Sequence, residues 1–92
     1  MNHVQARKKA LDYVVNMMGW NESRVLGCLQ DPIVPDTFLV AVEIMHSERG
    51  KMQFAILISH GEVADDGFLM EDFFKNGGVL DEPEQPKKRK RP

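Results

Sequence analysis

Three histidines and a single cysteine, His3, His46, His60 and Cys28, are the side chains of this chain best suited to hold a soft or borderline metal ion. None of them sits at a recognised zinc spacing, in which short loops present ligands in pairs. The hairpin register derived below puts His46 beside a turn and His60 opposite Phe38 at the other end. Seven strand residues then separate them, on the order of 24 Å at about 3.4 Å each. One ion cannot join the two, so no metal and no other cofactor is expected.

Ser59, His60 and Glu62 are the types found in a nucleophilic triad. Neighbouring strand residues point to opposite faces, so Ser59 and His60 diverge instead of meeting. GxSxG, Walker and GxGxxG patterns are absent. Asp65, Asp66, Glu71 and Asp72 offer carboxylates for a cation, but the EF-hand spacing is missing and a solvated acidic face is the simpler reading. No catalytic residue is assigned, and a non-enzymatic protein is expected.

Charge is segregated along the chain. Residues 1–86 hold seven Lys/Arg against fourteen Asp/Glu, and the KKRKRP end adds five positive charges to leave a net −2. Lys87, Lys88, Arg89, Lys90 and Arg91 match the composition of a monopartite nuclear import signal. They also match an arm that grips phosphates without reading sequence. No aromatic residue is interleaved there to stack on bases. Arg7, Lys8 and Lys9 form a smaller basic cluster near the start.

Positioning of all these groups depends on residues 38–59, FLVAVEIMHSERGKMQFAILIS, which read as an antiparallel β-hairpin. Phe38, Val40, Val42 and Ile44 alternate with more mixed residues, as do Met52, Phe54, Ile56 and Ile58. Each arm thus carries one strongly apolar row. A three-residue Glu48-Arg49-Gly50 loop keeps both rows on one face and pairs Ile44 with Phe54, Val42 with Ile56 and Val40 with Ile58. The other face carries Leu39, Ala41, Glu43, Met45 and Leu57, too apolar for a fully solvated surface. Either the chain itself or a partner covers it.

Flanking the hairpin, residues 3–18 read as an amphipathic helix with Val4, Leu11, Val14, Val15 and Met18 inward, stopped by Gly19. Residues 21–30 read either as a short helix capped by Asn21, the favoured reading, or as a third strand from Ser23 to Leu29. DPIVPDT is a connector. After the hairpin, Asp65 or Asp66 is expected to cap a Phe-rich helix whose stripe is Leu69, Met70, Phe73 and Phe74 and which ends at Gly77-Gly78. That helix is expected on the same inner face as the first. From Val79 onward, three prolines and dense charge predict a disordered basic tail.

The fold class is therefore α+β: an N-terminal amphipathic helix, a hairpin extended to three strands if 23–29 joins it, and a C-terminal Phe-rich helix. Residues 1–78 form one small domain and 79–92 the tail. One cysteine, no apolar signal core in MNHVQARKK and no membrane-length apolar run point to an intracellular, soluble protein. It is expected in the cytoplasm, or in the nucleus if the tail is an import signal. The expected function is a small binding or regulatory protein acting through an acidic, partly apolar surface. Leu39, Ala41, Glu43, Met45, Leu57, Asp65, Asp66, Glu71 and Asp72 are its contact candidates, with another protein or a second copy on the outer sheet face as partner. The alternative is nucleic-acid binding by the basic tail, or an acidic body that imitates nucleic acid.

Overall fold

The computed structural model describes residues 1–82. It is an α+β protein in the order α1 (His3–Asp12), β1 (Ser23–Gln30), β2 (Thr37–His46), β3 (Gly50–Ser59), β4 (Glu62–Phe68) and α2 (Met70–Lys75). The four strands form an antiparallel meander in the order β1-β2-β3-β4. No helix of the described residues is long and apolar enough to cross a membrane.

The central hairpin forms with the expected faces and a register two residues away from expectation. Val40 pairs with Ile56, Val42 with Phe54 and Ile44 with Met52, around a Ser47–Arg49 loop. A two-residue slip preserves which side chains face inward, so the apolar rows survive it. The loop is held by His46, whose Nδ1 accepts the Glu48 and Arg49 backbone N–H groups at 3.1 and 3.2 Å. Gly50, at φ 76°, then pairs with His46. The β3–β4 connection is a two-residue turn of His60 and Gly61 with φ values of 51° and 81°, the positive pair that matches strand twist.

Residues 23–30 are a strand, not the favoured helix. A bulge at Leu26 hides its alternation: Val25 pairs with Val42 and Gly27 with Ala41. Leu26 joins the outer cluster, while Val25 and Cys28 pack on the inner one. Glu62–Phe68 likewise forms a strand where a loop and helix start are expected. Two register shifts against β3 break the pattern of EVADDGF, and Asp65 and Asp66 lie on this strand, so neither caps a helix. The α2 start is instead held by Asp72, which accepts the Leu69 N–H at 2.9 Å.

The helices occupy opposite faces of the sheet. α1 covers the inner rows, and Asn2 and Gln5 close a reciprocal capping box at its start. Its buried stripe is Ala6, Ala10 and Val14, rotated from the expected one, and Val4 is 73% exposed. Small side chains let this helix settle against the bulky Phe38, Val40, Val42, Ile56 and Ile58. A π-helical turn, Tyr13–Met17, ends it. α2 and the following residues cover the outer face, contrary to expectation: Phe73 is fully buried against Leu26, Leu39, Ala41 and Ala55. The packed body also runs past the expected boundary at 78. Leu80 joins the outer cluster, and the Asp81 N–H donates to the Leu26 carbonyl at 2.7 Å.

Candidate functional site

Helix and strand lengths determine where the sheet stays open. The ten residues of α1 span about 15 Å at about 1.5 Å each, and its π turn adds roughly one more turn. The ten-residue strands β2 and β3 span about 34 Å. The inner face is fully covered over the Phe38–Ile58 end; toward the turn Ile44 stays buried at 3% exposure, while Met52 and Phe54 are half-buried. α2 lies on the other face and adds no cover there.

A groove of about 560 Å³ lies over these half-buried side chains. Its floor is Ile44 of β2 with Met52 and Phe54 of β3, the last turns of the inner rows. Met18 and Trp20, just past the end of the first helix, form one wall, and Asp66 to Leu69 form the other. Met18 is 37% exposed and Leu69 60%. The Trp20 and His46 rings lie tilted with centroids 5.0 Å apart, which anchors the indole at the rim. Tyr13 of the π turn donates its hydroxyl to Asp66 Oδ2 at 2.7 Å, tying the helix end to β4. That bond raises the Tyr13 pKa above its ordinary value.

The expected contact residues do not form one surface. Leu39 and Ala41 are buried beneath α2 and Leu57 is half-buried beside them, so the outer face expected to dock a partner or a second copy is occupied by this chain. Glu43, 8% exposed, accepts from Gln53 Nε2 and Arg24 Nε, both at 3.0 Å. The Gln53 bond and then Arg24 hold its carboxyl below the usual range, against the effect of burial. Met45 stays exposed at the other end of the outer row. Asp65 and Glu71 are exposed, while Asp66 and Asp72 are half-buried in the bonds already described.

The basic cluster of the first helix is partly neutralised. Arg7 makes a two-pronged contact with Asp81, which raises its pKa, and Lys8 pairs with Asp12 at 2.9 Å. Lys87, Lys88, Arg89, Lys90 and Arg91, and the disorder expected of the tail from residue 83, lie outside the described residues. Among the described residues, no three His, Cys, Asp or Glu side chains gather as metal ligands. Ser59 Oγ lies 3.3 Å from Thr37 Oγ1, and His60 turns toward Asp36. Burial pushes the Cys28 thiol up to about 11.

Sequence reasoning placed Met52 and Phe54 inward but took them for closed core, and it overlooked Trp20. A second cavity of about 400 Å³ lies on the outer side, between the β1–β2 loop at Asp31 and Ile33 and the Leu57–Phe68 edge. The fold is thus a helix–sheet–helix sandwich with a groove on one face and a smaller cavity on the other. Comparison with protein-family models, curated proteins and solved structures returned no match.

Proposed function

We propose that this chain is a small non-enzymatic binding protein that recognises another protein through an apolar groove in an acidic body. One observation carries the reading: α2 and residues 79–82 pack on the outer face, while Met18, Trp20, Met52, Phe54 and Leu69 line an open groove on the other side. Contiguous apolar surface of this kind on a small protein marks contact sites. Asp66, His46, Arg49 and Gln53 line the groove beside these apolar side chains and supply the polar share that binding patches carry. A regulatory role inside the cell belongs to the same proposal.

Met18→Lys with Leu69→Lys tests it, because both side chains are exposed enough to change without opening the core. Proteins retained by the immobilised wild type should be lost by the double variant, with an unchanged circular dichroism spectrum. Retention of every such protein by the folded variant would exclude the groove as the contact.

A further inference from the structure

Resting on the groove reading, we infer that the groove is regulated by pH, with His46 as a proton-operated latch on the loop and the tryptophan beside it. The imidazole Nδ1 accepts two backbone N–H groups, from Glu48 at 3.1 Å and Arg49 at 3.2 Å. Only the neutral ring with its proton on Nε2 can do this, since a proton on Nδ1 turns the acceptor into a donor. The same ring meets the Trp20 indole, with centroids 5.0 Å apart. His46, Arg49 and Trp20 all line the groove. One titratable side chain thus joins the β2–β3 loop to the groove wall.

The β1–β2 loop shows the same turn built without a proton-sensitive acceptor. There Asp31 Oδ1 accepts from the N–H groups two and three residues on, Ile33 and Val34, both at 2.8 Å. The Val34 and Ile33 bonds hold its carboxyl below the usual range, so this acceptor persists in mild acid. His46 holds Glu48 and Arg49 at the same two spacings with an imidazole, the side chain that changes charge between about pH 5 and about pH 8.

Protonation leaves two N–H groups facing a third donor, so the loop must release the ring. The charge of the groove changes as well. Asp66 and Arg49 balance among its described lining residues, and an imidazolium adds a positive charge beside Arg49. Asp66, across the groove, is engaged by the Tyr13 hydroxyl. The other charged groups on the surrounding elements are Glu48 in the loop, Lys51 opposite Met45 on β3, and Glu22, whose carbonyl accepts the Met45 N–H. An apolar partner loses on both counts in acid: it meets a charge it must desolvate and a wall it must order. His3, packed on Phe38, and His60, turned toward Asp36, lie at the other end of β2. That end is about 27 Å away at about 3.4 Å per residue.

Trp20 is the single tryptophan of the chain, so its emission reports this ring contact directly. The test follows the full chain from about pH 8 to about pH 5. Trp20 emission, the His46 ring signals and the Glu48 and Arg49 amide signals in NMR should move together with one midpoint. At the alkaline end the ring nitrogens should show the form protonated on Nε2. His46→Asn offers an amide oxygen at the same spacing and gains no proton in that range, so its emission and loop amides should stay fixed. Proteins captured through Met18 and Leu69 should be retained about fivefold less by the wild type at about pH 5.5 than at about pH 7.5. His46→Asn should retain them equally at both. A neutral ring protonated on Nδ1, loop amides that ignore the ring's titration, or a Trp20 transition that persists in His46→Asn overturns the inference. Capture by the two proteins that responds alike to pH overturns it too. Capture indifferent to Met18→Lys with Leu69→Lys removes the groove reading instead, and the spectra of the isolated protein still decide the latch.

Discussion

At the scale of single residues, two glycines and one glutamate carry the sharpest consequences. A Cβ on Gly27 would lie 2.6 Å from the Val79 carbonyl oxygen and 3.1 Å from the Phe73 ring. The first of these is backbone and cannot rotate away. Gly27→Ala should therefore destabilise by about 1–3 kcal/mol, as overpacking does. Gly78→Ala, pressed to 2.5 Å against the Phe73 ring, should behave similarly in urea unfolding. Glu43 gives a pH dependence of known sign. Gln53 and Arg24 lower its pKa in the folded protein, so the charged form is favoured more there than in the unfolded chain. That contribution is present above the ordinary glutamate pKa, near about 4.3, and is lost as pH falls through the lower folded value. The urea midpoint of the wild type should thus fall further between pH 7 and pH 3 than that of Glu43→Gln.

At the scale of elements, the weakest-looking piece has a definite task. α2 is six residues long with one fully buried side chain, Phe73, too little to hold a helix in place alone. Residues 79–82 reinforce it: Leu80 extends the outer cluster, the Asp81 amide bonds Leu26, and Arg7 and Arg24 meet Asp81 and Glu82. The sequence boundary at 78 cuts through this contact. Truncation after Gly78 should lower stability by about 1–2 kcal/mol, through the half-buried Leu80 and the lost Asp81–Leu26 hydrogen bond. In the full chain, the Asp81 amide should exchange with deuterium more slowly than the exposed amides of the Ser47–Arg49 loop. Rapid exchange at Asp81 would show the strap to be loose.

At the scale of the whole molecule, the two faces of one sheet have different fates. The inner layer thins toward the Ser47–Arg49 loop, where Met52 and Phe54 are half-buried, and the outer layer leaves a cavity beside Ile33 and Leu57. The groove goes with that thinning and with α2 packing on the other side. The capture experiment above reads out this arrangement. Had the Phe-rich helix lain on the inner face, the same side chains would be core and the groove would be absent.

Local pattern alone determined the α+β class, the hairpin, and which of its residues face a common interior, because strand alternation depends only on neighbours in the chain. It also placed Gly77 after the last helix, where φ is 98°. Bulges defeated it at Leu26 and along β4, since an inserted residue erases the period that a strand is read by. Tertiary structure decided which face each helix covers, that Ala6 and Ala10 and not Val4 are buried, and that Leu39 and Ala41 lie beneath α2. Those outcomes depend on matching lengths and volumes between elements far apart in sequence, a comparison that no local pattern contains.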